Sequence, residues 1–198
     1  MIELVENKGR NKHIIVSGSK AILRDRISSD LDAYLKWRMQ GEWKQFDAPW
    51  ETLKNDISEA EKKQLRRRFL DRCGPNLSEP RQSAIITTID NTPIGWVNRY
   101  CKGEHFTDTW FVGIDICEDG YLNRGIGTEA LKLWIDYLFA NSSIHRIALD
   151  TWSFNKRMIH VADKLGFVFE GKERELINWR GKWADLLHFG MLRNEWQC

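Results

Sequence analysis

The chain has few cysteines, and they are not paired. Its 198 residues include four cysteines, and no two of them form a Cys-x-x-Cys pair. Zinc-binding and thiol-redox motifs need cysteines at short, regular spacing. We therefore expect neither kind of site, no bound metal, and cysteines that stay reduced.

The chain also lacks a dominant charge and a long apolar run. Its 30 Lys and Arg residues against 28 Asp and Glu residues leave a net charge of +2. Such a balance provides no electrostatic drive toward nucleic acid or an anionic membrane. The N-terminal stretch has no apolar segment typical of a secretory signal, and no run of about 18 apolar residues occurs. We expect a cytoplasmic protein with neither nucleic acid nor membrane as a partner.

Linkers and repeats are missing as well. The chain contains four prolines, and no low-complexity segment or internal repeat divides it. A chain of this length buries a sizeable core without disulfides or metals. Residues 1–198 are therefore predicted to form a single domain.

Apolar periodicity predicts a mixed order of strands and helices. Alternating or short apolar runs predict strands at residues 13–16, 21–24, 83–89, 94–100, 110–117, 144–149, 167–169 and 186–192. Helical spacing predicts helices from residue 29 or 30 to Gly41, over residues 56–69, after residue 127, and from Asn155 to Gly166. Early helices among strands, followed by β-α-β-α-β-β, are typical of a mixed α/β or α+β domain.

Two glycines, Gly125 and Gly127, lie at the start of a long, predicted amphipathic helix. A helix start carries unpaired N–H groups and partial positive charge, so it attracts anions. Glycine lets a phosphate approach that backbone closely. A phosphate-binding loop is therefore predicted, although a tight strand-to-helix connection would use the same residues.

The sequence around these glycines fits two common nucleotide-binding loops poorly. A Walker A loop needs a lysine after its last glycine, and here Thr128 follows Gly127. Residues 125–130 match the Gly-x-Gly-x-x-Ala pattern of dinucleotide-binding domains, and Asp150 ends the next predicted strand. However, seven residues separate Cys117 from Gly125, and only 48 residues follow Asp150. Nucleotide hydrolysis is excluded, and a dinucleotide-binding domain is disfavoured.

The stretch Leu122-Asn123-Arg124-Gly125-Ile126-Gly127 resembles the Gln/Arg-x-x-Gly-x-Gly/Ala loop of the GNAT N-acetyltransferases, with Leu122 replacing the usual first residue. Asn155, the stretch 164–167 and Glu170-Gly171 resemble the second signature of that family. Residues 21–26, 174–185 and 190–196 are similar to its branch of ribosomal-protein N-terminal alanine and serine acetyltransferases. The resemblance implies an α+β fold with a central, mostly antiparallel sheet flanked by helices and one splayed parallel strand pair.

The resemblance also implies acetyl-CoA as the cosubstrate, with its pyrophosphate on the glycine loop. The residues that it assigns to coenzyme binding are Ile116, Cys117, Leu122, Asn123, Arg124, Gly125, Ile126, Gly127, Thr128 and Asn155. Asn155 is, on its chemistry alone, equally well suited to cap a helix.

Acetyl transfer to an amine needs a group that accepts the proton of the substrate ammonium. Asp115 is the first candidate, because the alternation of strand 110–117 places it among apolar residues. Burial raises the pKa of a carboxyl group, which is the direction that a base for an amine needs. Pairing with a cation or exposure at an edge is the alternative for Asp115, and Glu118 is the second candidate base.

Many GNAT enzymes have a tyrosine, four residues before the second-signature glycine, as the acid for the leaving thiolate. Ala162 stands at that position here. Either Tyr121 or another residue replaces the acid, or the thiolate leaves unprotonated. A coenzyme-binding module without turnover stays an alternative. Cys117 is interpreted as a small buried thiol rather than a nucleophile, because no histidine lies near it in the sequence.

The sequence says least about the identity of the acceptor amine. The early helices flank the acceptor site in this fold, so an aromatic wall with one carboxylate is predicted from Trp37, Trp43, Phe46, Asp47 and Trp50. Core packing is the competing interpretation for the aromatic residues, and it is favoured for Trp96. A protein N-terminus follows from the most similar branch, whereas Gly113-Ile114-Asp115 resembles aminoglycoside acetyltransferases, so a small amine stays an alternative.

Overall fold

The computed structural model describes residues 13–47, 57–73, 78–103 and 108–196. Eight strands are present in this part of the chain: β1 (Ile14–Ser17), β2 (Ile22–Arg24), β3 (Ser83–Thr87), β4 (Pro93–Tyr100), β5 (Thr109–Ile116), β6 (Arg146–Trp152), β7 (Val168–Trp179) and β8 (Lys182–Leu192). The described helices are α1 (Leu31–Met39), α2 (Lys44–Asp47), α3 (Glu59–Leu70), α4 (Ile126–Ala140) and α5 (Lys156–Lys164).

The strands form one sheet in the order β1-β2-β3-β4-β5-β6-β8-β7. Neighbouring strands run antiparallel, except that β5 and β6 are parallel. The β5–β6 connection contains α4, as a parallel crossover requires. The predicted α+β fold, with a mostly antiparallel sheet and one parallel pair, is confirmed.

The parallel strands separate soon after they meet. β5 and β6 pair at only three positions, which end at Phe111 and Ala148. Beyond these positions β5 stays paired with β4 as far as Ile116, while β6 stays paired with β8 as far as Trp152. Each strand follows its antiparallel neighbour, so the sheet opens between the carboxyl ends of β5 and β6.

One face of the sheet, called here the α4 face, carries the main core. On α4, Leu131, Trp134, Ile135 and Leu138 recur at helical spacing and are fully buried. They share a cluster with buried residues of β4 and β6. This continuous packing fixes the start of α4 relative to the opening of the sheet.

The opposite face, called here the α1 face, carries a smaller cluster in which Trp37 of α1 packs with Trp43 and Cys117. A buried ion pair fixes the entry to α1. Arg24 donates two hydrogen bonds to Asp30, at 2.7 and 2.6 Å, and both side chains are at most 4% exposed. This pair therefore ties β2 to the start of α1.

The structure departs from the sequence prediction mainly where local signals are weak. α2 was not predicted, because a single turn of helix has no periodicity to detect. The last two strands are longer than predicted, since most residues of β7 are exposed and give no apolar run. α3 begins after Ser58, whose side chain accepts a hydrogen bond from the Glu61 N–H, and Asp56, the predicted start, lies outside the described residues.

We predict that Asp30→Asn lowers the free energy of unfolding by about 3–5 kcal/mol, because it leaves the buried Arg24 guanidinium without a counter-charge. Urea denaturation followed by tryptophan fluorescence measures this loss. Asp32→Asn, at an exposed position in α1 two residues after Asp30, is the control. It should change the free energy of unfolding by less than about 0.5 kcal/mol. Equal stability of the two variants would show that the ion pair does not hold α1.

Candidate active site

A cavity of about 870 Å³ lies at the opening between β5 and β6. Its walls include residues 112–116 of β5 and residues 149–152 of β6. The loop before α4, residues of α2 and α5, and residues of β4, β7 and β8 also contribute to the lining. The cavity is therefore lined from both faces of the sheet, with the strand opening between them.

The glycine loop forms the α4-face wall of this cavity. Gly125 caps the start of α4 with φ of 77°, a left-handed conformation that favours glycine. Leu122, Asn123, Gly125, Gly127 and Thr128 line the cavity. The other two predicted loop residues lie elsewhere, with Ile126 buried in the core and the Arg124 guanidinium 5.5 Å from the centroid of the Tyr121 ring.

Asn155 lies at the start of α5 and lines the same cavity. Its side-chain oxygen accepts a hydrogen bond of 3.2 Å from the backbone N–H of Met158. The helix-capping role predicted for Asn155 is thus observed, and its position in the cavity wall is compatible with a coenzyme contact.

Ile116 and Cys117 at the end of β5 face in opposite directions. Ile116 lines the cavity and packs against the main core. Cys117 is buried beside Trp37 and Trp43. Burial, followed by the charges of nearby carboxylates, raises the pKa of the Cys117 thiol well above its usual range. The thiol is therefore held protonated, which disfavours a nucleophilic role.

The carboxylate of Asp115 belongs to the α1 face. Side chains alternate along a strand, and Ile114 and Ile116 pack into the α4-face core, so Asp115 points to the other side. Because Phe111 pairs with Ala148, the alternation of β6 places Asp150 on the α1 face as well. Two carboxylates therefore flank the opening on one face, opposite the glycine loop.

Burial is the main reason that the pKa of Asp115 lies well above its ordinary value, and repulsion from Asp47 adds to the effect. A hydrogen bond with the side chain of Trp96, the cross-strand neighbour of Asp115, opposes these effects. Asp47 and Asp115 both line the cavity. The site thus brings together a predicted base and a predicted acceptor-contact residue.

Glu118, the second candidate base, is engaged elsewhere. Lys36 donates to its two carboxylate oxygens at 2.8 and 2.7 Å, and the indole N–H of Trp37 donates to one of them at 2.7 Å. Both donors lie on α1, so Glu118 joins this helix to the end of β5. These contacts hold the Glu118 carboxylate against α1, in a structural position rather than in the cavity wall.

The predicted aromatic wall is present only in part. Trp43 and Phe46 line the cavity. Trp37 is fully buried, and Trp96 packs between Trp37 and Trp43, with ring centroids 5.7 and 5.0 Å away. Trp50 lies outside the described residues. Trp37 is therefore placed as a core residue by its packing.

Two tyrosines reach the cavity, whereas Ala162 is fully buried in the main core. Tyr121 lines the cavity beside the glycine loop. Tyr100, which the sequence analysis did not select, stacks on Phe111 with ring centroids 5.6 Å apart. Burial, with smaller effects of Asp150 and Asp47, raises the pKa of Tyr100 to about 12, so its hydroxyl stays protonated at neutral pH.

A cluster of charged and polar side chains on the α1 face was not predicted from the sequence. Asp150 forms an ion pair with Lys102 and a hydrogen bond with His188 Nδ1. Asp150 and His188 meet because β6 pairs with β8 in the register Asp150↔His188, whereas Lys102 comes from the segment that follows β4. No local spacing could have identified them.

Two further kinds of feature were looked for in the structure: a metal site and a helix that could span a membrane. Among the residues that the structure describes, no three His, Cys, Asp or Glu side chains are grouped so as to hold a metal ion. In the same part of the chain, no helix is long and apolar enough to cross a membrane.

Comparison with known proteins identifies relatives of this chain. The model of the acetyltransferase (GNAT) domain family matches residues 20–168. The SPbeta prophage-derived uncharacterized N-acetyltransferase YokL of Bacillus subtilis is 26% identical over 114 residues, which cover 57% of this chain and 63% of that protein. The matched region thus spans less than two thirds of this relative.

Two solved structures share the fold. The ribosomal-protein-S5-alanine acetyltransferase of Vibrio fischeri has a TM-score of 0.68 at 22% identity, covering 92% of this chain and 98% of its own. The spermidine N-acetyltransferase of Vibrio cholerae, in complex with CoA and spermine, has a TM-score of 0.67 at 18% identity, with coverages of 90% and 98%. Together with the family match over most of the sequence, the strand opening and its glycine loop assign this chain to the GNAT acetyltransferase family.

Proposed function

We propose that this protein transfers the acetyl group of acetyl-CoA to a primary amine by direct attack within a ternary complex. The observation that carries the proposal is the cavity through the strand opening, with a helix-start loop on one face and Asp115 on the other. Family membership supports acetyl-CoA as the donor, and a structure of the same fold was solved with CoA.

The α4 face is the proposed coenzyme side. The free N–H groups at the start of α4 would receive the pyrophosphate, and Gly125 and Gly127 keep side chains away from it. Between residues 112 and 116, β5 pairs with β4 on one edge and has left β6 on the other. The backbone groups on the open edge are suited to pair with the amides of the pantetheine arm, as an added strand would.

The α1 face is the proposed amine side. Asp115 would accept a proton from the substrate ammonium, and the neutral nitrogen would attack the thioester carbonyl. The C–N bond forms and the C–S bond breaks, so that the coenzyme leaves as a thiolate. The acylated nitrogen releases its second proton to water, from which the donor to the thiolate regains its own proton. Tyr121 is the proposed proton donor to that thiolate, because it lines the cavity and Ala162 has no proton to give.

The acceptor is proposed to be a protein N-terminus, and a small amine is the second candidate. Solved structures of similar fold carry both kinds of name, a ribosomal-protein acetyltransferase and a spermidine acetyltransferase. A coupled assay of acetyl-CoA consumption, run with peptides beginning with Ala or Ser and with polyamines and aminoglycosides, separates the candidates. Peptide turnover supports the first, small-amine turnover the second, and a folded, CoA-binding protein that acetylates none of them would be a binding module.

We predict that Gly127→Val weakens CoA binding by about tenfold or more, because the added side chain stands where the pyrophosphate must approach the backbone. A Cβ at residue 127 would make only ordinary contacts, 3.5 Å from Ile116 and 3.9 Å from Ile114, so the variant should fold. Calorimetric titration with CoA measures the loss. Gly120→Val is the control from the same loop, since a Cβ there meets nothing within 4 Å. Equal affinities in the two folded variants would contradict the assignment.

We predict that Asp115→Asn lowers kcat/KM for the accepted amine by about 10²-fold or more while CoA affinity stays nearly unchanged. The loss should shrink at high pH, where more of the amine is already neutral. Wild-type kcat/KM should fall as the pH drops through the raised pKa of Asp115, because the base becomes protonated. A folded Asn variant with wild-type kinetics would remove Asp115 as the base.

Comparing the stability of wild type and Asp115→Asn tests the environment of Asp115. The folded chain keeps the Asp115 proton at pH values where the unfolded chain has lost it, because the folded pKa is raised. The contribution of this group to stability therefore falls as pH rises from the ordinary Asp pKa to the raised one. Asp115→Asn should lack that fall, so it should gain stability relative to wild type at neutral pH. A loss of stability there would instead indicate a structural ion pair.

A further inference from the structure

An ammonium group of the protein itself lies in the proposed amine side of the cavity. Lys102, which follows β4, lines the cavity and forms an ion pair with Asp150. Its Nζ lies 4.4 Å from the centroid of the Phe111 ring. The second carboxylate oxygen of Asp150 lies 2.8 Å from His188 Nδ1, and His188 Nε2 lies 3.3 Å from Glu173. The nearly buried Asp150, with a side chain 9% exposed, thus has both oxygens engaged.

These surroundings are those that an alkylammonium ligand requires. A carboxylate withdrawn from solvent supplies a charged hydrogen bond, and an aromatic face supplies a cation–π contact. The ammonium group of Lys102 already contacts both the Asp150 carboxylate and the Phe111 ring. A second ammonium on an acceptor would therefore meet the charge of Lys102 instead of the carboxylate of Asp150, and like charges in a partly desolvated cavity repel.

We propose that Lys102 determines acceptor selectivity by occupying the carboxylate of Asp150 and excluding amines with a second ammonium group. This proposal rests on the proposed amine acetyltransferase function and makes it more specific. Asp47 and Asp115 lie on the same side and attract the reacting amine. At the position of Lys102, a neutral or anionic group of the acceptor is preferred. The selectivity favours an amine with one positive charge, such as a protein N-terminus, over a polyamine.

Three probes with the same four-carbon chain test this selectivity: butylamine, 1,4-diaminobutane and 4-aminobutanoate. Calorimetric titration of the CoA-loaded protein measures their binding without requiring turnover. Wild type should bind the diamine most weakly. Lys102→Met should bind the diamine about tenfold or more tighter and 4-aminobutanoate about tenfold weaker, with butylamine changed by less than about twofold.

Three further variants test whether the charge of Lys102 and the carboxylate of Asp150 cause the change in probe affinity. Lys102→Arg keeps the positive charge and should keep the wild-type order of the probes. Lys102→Met combined with Asp150→Asn should lose the gain for the diamine, because no carboxylate is uncovered. Lys63→Met removes an exposed lysine of α3 and should change nothing. Unchanged melting temperature and CoA affinity would show that each variant is folded.

Unchanged relative affinities in folded Lys102→Met would overturn the proposal, and so would the absence of probe binding by both wild type and variant. Turnover with acetyl-CoA separates this failure from that of the proposed function. If the probes bind in a Lys102-dependent order but no tested amine is acetylated, the proposed reaction fails and the Lys102 assignment stands. If amines are acetylated while Lys102→Met leaves the diamine-to-monoamine ratio of kcat/KM unchanged, the Lys102 assignment alone is wrong.

Discussion

The separation of β5 from β6 is the constraint on which the rest of the site depends. The two strands share three residue pairs and then follow their other neighbours, β4 and β8. A continuous sheet would have filled this space with ladder hydrogen bonds and closed the path between its faces. In the part of the chain that the structure describes, the opening instead leaves one edge of β5 without a strand partner beyond Phe111, and it joins the two faces through one cavity.

The two faces differ in their chemistry, and the difference matches the two proposed substrates. The α4 face presents the start of a long helix, which favours an anion. The α1 face presents Asp47, Asp115 and Asp150, together with Lys102. The ion pairs Arg24–Asp30 and Lys36–Glu118 attach α1 to the sheet, so the helix that covers the buried end of β5 is held by charges that do not face the cavity.

Local sequence patterns were sufficient to predict most features of the proposed coenzyme side. The glycine loop, the buried face of α4 and the capping residue Asn155 are all encoded within short stretches, where periodicity and residue type suffice. The face occupied by Asp115 also followed from strand alternation, since a two-residue period fixes side-chain direction. The resemblance to the GNAT family, which rested on these stretches, is confirmed by the family match.

The proposed amine side depends on contacts between distant parts of the chain, so fewer of its features could be predicted from the sequence. Nothing local indicates that Glu118 is held by two residues of α1, or that Trp37 turns into the core. The contacts of Asp150 with Lys102 and His188 join residues that are 48 and 38 positions apart in the sequence. Such positions are set by packing of the whole sheet, which a single sequence does not display.

Direct acetyl transfer through the strand opening can be tested by two-substrate initial-rate kinetics. Acetyl-CoA and an accepted amine are each varied at several fixed concentrations of the other. Direct attack in a ternary complex predicts intersecting double-reciprocal lines and no acetylated protein after incubation with acetyl-CoA alone. Parallel lines, together with an acetyl group on Cys117 found by peptide mass spectrometry, would show transfer through a covalent acetyl-enzyme instead of direct attack.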